Sequence, residues 1–109
     1  MLHNGIDLAV PVGTPLYAPQ SGKVTVVNED SRNGRYVVLQ HNHGVRTTYC
    51  HLQRSEVALG AEVVAGQRFA LSGNTGRSTG PHLHWVVRIA GSPVDPAAFA
   101  PTAASADRG

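Results

Sequence analysis

The stretch TGPHLHW, residues 79–85, contains two histidines one residue apart. A glycine-proline turn precedes them and apolar residues follow at every second position, which predicts a β-strand. Because a strand sends successive side chains to opposite faces, His82 and His84 share one face. The other face carries the apolar residues Leu83, Trp85, Val87 and Ile89. This apolar face can pack on a core, which leaves two imidazoles side by side on the open face.

The segment HNGID, residues 3–7, offers a second pair of polar side chains. Gly5 and the β-branched Ile6 disfavour a helix here. In an extended chain His3 and Asp7 then face one way, while the neighbouring apolar residues face the other.

The segment TTYCHL, residues 47–52, repeats the pattern in a third strand. Strict alternation places Tyr49 and His51 on one face and Cys50 on the reverse, towards the core. We therefore expect Cys50 to be a small buried residue rather than a nucleophile. Tyr49 is either a substrate contact or a packed strand residue.

Imidazole and carboxylate groups gathered from three strands are typical of a catalytic zinc site. Such a site uses three protein ligands drawn from His, Asp and Glu, with water in the fourth position. Histidines beside it can transfer protons near neutral pH, whereas Mg²⁺ or Ca²⁺ would prefer oxygen ligands. Five candidates divide into three ligands and two helpers, and alternation does not say which is which. They are His3, Asp7, His51, His82 and His84.

The elements that must position these residues are short strands separated by turns. The chain has 109 residues with 41% hydrophobic and 15% charged residues, and it contains 12 glycines and 7 prolines. No helical periodicity of useful length occurs. We predict an all-β, mainly antiparallel domain, an open sandwich or half-barrel with little or no helix and an active-site groove between loops. Residues 1–99 are expected to form this domain, and residues 100–109 a disordered tail.

Composition excludes several classes of function. The formal net charge is +2 and the basic residues are scattered, which argues against a nucleic-acid partner. One cysteine permits neither an internal disulfide nor a cysteine-based zinc site. No apolar run approaches the ~18 residues of a membrane span, and no signal peptide is recognisable. The only lysine, Lys23, and the only methionine, Met1, are not placed as in a lipoyl or biotinyl carrier domain.

Four motifs together resemble the lysostaphin/LytM-type zinc endopeptidases of bacterial cell walls. In chain order they are HNGID, GTPLYAPQSGKV, TTYCHL and SGNTGRSTGPHLHW, and the match runs from His3 to about Pro96. The signature H-x-x-x-D, Y-x-H-L and H-x-H is specific in combination, although each part alone is weak. The resemblance implies one Zn²⁺ ion on His3, Asp7 and His84. It also implies that His51 and His82 deprotonate the water and stabilise the tetrahedral intermediate, in an order it does not assign.

This resemblance implies hydrolysis of a cross-link or stem-peptide bond in peptidoglycan. The expected location is outside the cytoplasm, in the periplasm, at the wall, secreted or delivered by a phage. The strand and loop that usually precede the family's first ligand are missing, so we expect a monomeric domain that is part of a longer chain. The alternative is a zinc-bound but catalytically silent module that binds the wall or regulates another hydrolase. Intact His51 and His82 speak against that alternative.

The remaining polar residues near the motifs receive weaker predictions. Besides Tyr49, the loop before the last strand is expected to shape a substrate groove through Asn74, Thr75, Ser78 and Thr79. His41 and His43 flank a predicted hairpin turn, and we expect turn or surface residues there rather than ligands.

Overall fold

The computed structural model describes residues 5–76, 80–89 and 101, which form an antiparallel β domain. Every strand pairing among these residues is antiparallel, and the only helical element is a 3-10 turn at Asn42–Gly44. This confirms the predicted fold class. The strands are β1 Gly5–Leu8, β2 Pro15–Tyr17, β3 Gly22–Asp30, β4 Gly34–Gln40, β5 Val45–Ser55, β6 Glu62–Val63, β7 Arg68–Ser72 and β8 Leu83–Ile89.

The sheet is organised around β5, its longest strand. The hydrogen-bonded order is β1-β8-β5-β4-β3-β6, and β7 pairs with both β5 and β2. The first half of β5, up to Cys50, pairs with β8, whereas Leu52 to Ser55 pair with β7. β5 therefore exchanges one neighbour for another around position 51. This exchange makes the open sheet branch at β5, with β7 and β2 off the main strand order.

The core lies on one face of the sheet, as the alternation in β8 predicts. Leu83, Trp85 and Val87 are buried there, and Trp85 is in register with Tyr49 of β5. The Tyr49 ring packs on Phe69 of β7 with centroids 5.0 Å apart. Each fully buried apolar side chain of this size contributes about 1.5–3 kcal/mol relative to exposure. This ring contact and the pairing of β7 with β5 thus fix the start of the loop that leaves β7.

The predicted hairpin between β4 and β5 is present, but His41 is not a surface residue there. Its side chain is buried, with Nδ1 3.0 Å from the Ser21 carbonyl oxygen and Nε2 2.8 Å from Thr47 Oγ1. Because a carbonyl oxygen only accepts, Nδ1 carries the proton. His41 is therefore a buried, hydrogen-bonded residue at the start of the turn, so the turn alternative of the prediction holds and the surface alternative does not. The side chain of His43 lies outside the described residues.

Among the described residues, no helix is long and apolar enough to cross a lipid bilayer.

Candidate active site

The centre of the site is formed by two adjacent strands. Asp7 of β1 is in register with His84 of β8, so their side chains emerge on the same face of the sheet. The distance between Asp7 Oδ1 and His84 Nδ1 is 2.7 Å. The Asp7 side chain is 67% exposed and that of His84 23%. The two expected ligands thus lie together at an accessible surface.

Alternation in β5 departs from the predicted pattern. Thr47 and Tyr49 are fully buried on the core face, whereas Cys50 is in register with His84 and so lies on the face of the site. The predicted common face for Tyr49 and His51 was therefore wrong. Tyr49 has no exposed surface and packs on Phe69. It is the packed strand residue that the sequence offered as its other interpretation.

A bulge in β5 nevertheless brings His51 to the site. Val37 of β4 pairs with Tyr49, yet Arg35, two residues earlier, pairs with Leu52 three residues later, so β5 contains one extra residue here. His51 adopts a left-handed backbone with φ of 63°, the only positive φ of a non-glycine residue among those described. Its ring centroid lies 4.8 Å from that of His82 and 6.5 Å from that of His84. The bulge, rather than strict alternation along the strand, brings His51 next to His82 and His84.

Two backbone carbonyl groups hold His51 in this conformation. Its backbone N–H donates to the Asn33 carbonyl oxygen at 2.8 Å, in the turn between β3 and β4. Its Nδ1 lies 2.8 Å from the Thr75 carbonyl oxygen, in the loop after β7. Since that oxygen only accepts, Nδ1 carries the proton and Nε2 of the neutral ring bears a lone pair. This is the tautomer that a proton acceptor at Nε2 requires.

Thr75 is itself fixed by its side chain. Its hydroxyl donates to the Leu52 carbonyl oxygen at 2.6 Å and accepts from the Arg35 N–H at 3.1 Å. The loop is thereby tied to β5 on one side of His51 and to β4 on the other. The sequence predicts Thr75 only as a groove residue and carries no signal for this role.

Two glycines allow the turn and the loop to meet. Gly34 has φ of 64° and Gly76 has φ of 79°, conformations that L side chains rarely adopt. A Cβ on Gly76 would lie 2.2 Å from the Gly34 nitrogen, and one on Gly34 would lie 2.4 Å from the Thr75 carbonyl carbon. Any side chain at either position would separate the two segments that hold His51. The contact between this turn and the loop was not predicted from the sequence.

His82 lies at the entrance to β8 and borders a groove. Its Nδ1 is 2.8 Å from the Gly80 carbonyl oxygen, which again places the proton on Nδ1. Its Nε2 lies 3.5 Å from Asp7 Oδ1, so the ring faces the Asp7–His84 pair. The groove has a volume of about 430 Å³ and is lined by Asp7, Ala9, Gly80, Pro81 and His82. The predicted helper histidine therefore faces both the expected ligands and a space for a substrate.

Cys50 shares the face of the site but is poorly suited to act as a nucleophile. It is only 4% exposed, and its Sγ lies 3.8 Å from Asn33 Oδ1. Burial raises the pKa of the thiol to about 11, with a smaller contribution from the Asp30 carboxylate. The expectation of a buried, unreactive thiol agrees with this environment, although the predicted core-facing orientation was wrong.

The donor set that remains suits a metal such as zinc. Asp7 and His84 supply one carboxylate oxygen and one imidazole nitrogen at a single point, which is the chemistry of a zinc site. His3, the third expected ligand, lies outside the described residues. Within residues 5–76, 80–89 and 101, no group of three or more His, Cys, Asp or Glu side chains is arranged to hold a metal ion. The pair fits zinc, and its completion by His3 stays a prediction.

The expected substrate-binding loop is described only in part. Asn74 is exposed and Thr75 partly buried, and both remain predicted groove residues. Ser78 and Thr79 lie outside the described residues.

Known families and structures agree with this fold. Residues 1–96 match the model of peptidase family M23. The chain belongs to this family. Of the solved structures, it is similar to a zinc-containing peptidase from Vibrio cholerae, with a TM-score of 0.79 and 47% identity over 84% of this chain and 28% of that one. The catalytic domain of lysostaphin from Staphylococcus simulans gives a TM-score of 0.76 and 33% identity over 99% of this chain and 80% of that domain.

Curated relatives extend the similarity to named hydrolases. The peptidoglycan DD-endopeptidase ShyA of Vibrio cholerae is 47% identical over 93 residues, which is 85% of this chain and 22% of the relative. The DD-carboxypeptidase/endopeptidase Mpg of Neisseria meningitidis is 44% identical over 99 residues, 91% of this chain and 23% of the relative. The chain thus spans between a fifth and a quarter of the length of these relatives.

Proposed function

We propose that the protein is a zinc-dependent endopeptidase that hydrolyses peptide bonds in bacterial peptidoglycan. The observation that carries the proposal is the Asp7–His84 donor pair with His51 and His82 directed towards it. Family membership and relatives named as peptidoglycan endopeptidases support the substrate class. The same relatives favour an enzyme over a silent wall-binding module.

In this proposal Asp7, His84 and His3 hold one zinc ion. The donor types of the described pair support zinc, as does a relative of known structure that is a zinc-containing peptidase. When bound, zinc supplies a Lewis acid that polarises the scissile carbonyl and lowers the pKa of water towards about 7.

The two remaining histidines transfer protons and stabilise negative charge. His51 and His82 both carry their proton on Nδ1, donated to a carbonyl oxygen, so each neutral ring has its basic nitrogen at Nε2. One ring accepts a proton from the attacking water at Nε2. The other, when protonated, donates to the oxygen that becomes negative as the carbonyl is attacked. Their adjacent rings suit them to act on two atoms of one reacting group.

The groove beside His82 is the proposed place of the peptide. Asp7, which lines it, is exposed. In this proposal Asn74 and Thr75, in the loop after β7, add further contacts to the peptide. We propose that this catalytic unit covers residues 1–99, within a monomeric protein of greater length. Pro101 of the predicted tail is buried, and its carbonyl oxygen accepts from the Tyr17 N–H at 2.6 Å, so at least this residue packs against the domain. A wall substrate requires that it act outside the cytoplasm.

Digestion of purified peptidoglycan sacculi tests the proposal. We expect the protein to release soluble fragments, to stop when a chelator removes the metal, and to resume when zinc is restored. Mass analysis of the fragments identifies the bond that is cleaved. His51→Ala is the matched inactive variant, because it removes a helper without removing an expected ligand.

The controls separate the enzyme from a silent module. A zinc-loaded, folded protein that binds sacculi but releases nothing from several wall types would refute the proposal and support the module. Release that persists in chelator would contradict the role of the metal.

A further inference from the structure

A row of basic residues crosses the sheet away from the candidate active site. Lys23 of β3 is in register with Gln40 of β4, Gln40 with Arg46 of β5, and Arg46 with Arg88 of β8. Residues in register on antiparallel strands point to the same face. We call the three basic residues, Lys23, Arg46 and Arg88, the cationic row. All three are exposed.

The cationic row lies on the same face as the Asp7–His84 pair. Arg88 follows His84 by four residues along β8, and Arg46 precedes Cys50, the partner of His84, by four residues along β5. Even spacing along a strand preserves the face, and four residues correspond to about 13–14 Å. A substrate extended along β8 from the candidate active site therefore reaches the row.

Among the described residues, most other arginines, though not Arg32, have an acidic partner, whereas the two arginines of the row do not. Arg46 and Arg88 stand directly opposite each other, an arrangement that destabilises a sheet. Three other surface arginines, Arg35, Arg54 and Arg68, lie 3.6, 3.2 and 2.6 Å from a glutamate oxygen. No ion pair within the described ranges includes Arg46 or Arg88. The acid in register with the row, Glu62, is opposite Lys23 at its far end.

We propose that the cationic row binds a carboxylate of the peptide substrate, about four residues from the bond that is cleaved. This rests on the proposed endopeptidase function and adds a requirement for a negatively charged substrate. Two guanidinium groups side by side offer paired N–H donors that match the geometry of a carboxylate. An extended peptide spans ~3.3–3.6 Å per residue, so four residues bridge the distance from His84 to Arg88. Binding of the carboxylate also relieves the repulsion between the two arginines.

The test combines a double variant whose two arginines are replaced by neutral residues with a substrate whose remote carboxylates are replaced by neutral amides. Arg46→Gln/Arg88→Gln keeps side chains of similar reach without their charge. Steady-state kinetics are measured on synthetic peptidoglycan peptides whose carboxylates remote from the scissile bond are either free or converted to primary amides. Arg54→Gln is the matched control, because it removes one exposed arginine of β5 outside the row. Circular dichroism and thermal melting confirm that each variant folds.

We expect the wild type and Arg54→Gln to prefer the free-acid peptide. The double variant should raise KM for that peptide about tenfold, as loss of two solvent-exposed charge pairs implies, with little change in kcat. Its KM for the amide should match that of the wild type. An unchanged KM for the acid, or an undiminished preference for acid over amide, overturns the inference.

A binding measurement keeps the inference testable if the proposed function fails. Should the wild type cleave neither peptide, co-sedimentation with native and carboxylate-amidated sacculi decides instead. Three results together support the row as a carboxylate site. The double variant binds native sacculi more weakly than the wild type but amidated sacculi equally well, and binding of the wild type falls when the carboxylates are amidated. Binding of the wild type also falls when salt is added. Equal binding by the wild type and the double variant refutes it. Amidation leaves wall phosphates intact, so binding that survives amidation and depends on the row would assign the row to phosphate and overturn the proposal.

Discussion

Replacement of Thr75 by valine tests whether the loop after β7 positions His51. Valine has nearly the shape of threonine but removes the hydroxyl that donates to the Leu52 carbonyl oxygen at 2.6 Å and accepts from the Arg35 N–H at 3.1 Å. Each such hydrogen bond contributes about 0.5–1.5 kcal/mol net. Together they hold the loop with about 2 kcal/mol. The Thr75 carbonyl group that accepts from His51 Nδ1 remains in the chain, but it is no longer fixed in place.

The expected effect falls on turnover rather than on metal binding. If the catalytic orientation of His51 becomes less stable by the full ~2 kcal/mol, kcat falls about thirtyfold, since 1.36 kcal/mol corresponds to a factor of ten. The assay is the rate of cleavage of a defined wall peptide, with bound zinc measured in the same preparation. KM should change less than kcat, because the five residues that line the groove beside His82 are unchanged.

Thr75→Ser is the matched control, because serine restores the hydroxyl. We expect it to recover most of the activity that valine removes. If Thr75→Val retained full kcat with bound zinc, the loop would not position His51. If serine were as impaired as valine, loss of the methyl packing rather than of the hydrogen bonds would explain the defect. Either result would refute the reasoning from the two hydrogen bonds.

Three further predictions concern the site and the stability of the domain. His82→Ala should lower turnover by about 10²–10⁴-fold while zinc stays bound, whereas His84→Ala should lose the metal; normal activity in His82→Ala would show that its assigned role is wrong. Cys50 should react slowly with iodoacetamide at pH 8 while the protein is folded, because burial raises its pKa to about 11; rapid labelling seen by mass spectrometry would contradict that burial. Hydrogen bonds from Arg68 and, to a smaller extent, from Arg54 lower the pKa of Glu56 from 4.5 to about 2. The stability that ionised Glu56 contributes through these contacts is therefore present above pH 4.5 and is lost as the pH falls towards 2. Thermal melting of Arg68→Gln should therefore be less pH-dependent than the wild type across that range, and identical pH profiles would refute the link.

Alternation predicted the parts of the site that lie on regular strands. His84 and Trp85 emerge on opposite faces of β8, and Asp7 joins His84 across the β1–β8 ladder. These positions follow from a period of two with apolar residues on one side. The strands, and the face on which each of their side chains lies, could be predicted because burial of the apolar face decides both.

His51 could not be placed in the same way. A period of two put it on the face of Tyr49, and Tyr49 is in the core. Only the bulge, with its left-handed backbone, returns His51 to the site. That conformation is held by carbonyl groups from Asn33 and Thr75, both distant in sequence. A bulge stabilised by long-range backbone contacts leaves little local signal, although Gly34 and Gly76 mark where those contacts occur.

The pairing of the first described strand with the last has a consequence for how the enzyme matures. Asp7 and His84 are 77 positions apart in the chain, yet they lie on hydrogen-bonded neighbours. Contacts between such distant residues carry a large loop-closure entropy and form slowly compared with local hairpins such as β3–β4. A chain emerging from the ribosome therefore has no assembled catalytic centre until β8 has been made and inserted between β1 and β5. Recovery of activity during refolding should consequently follow closure of the β1–β8 ladder rather than the first appearance of β structure.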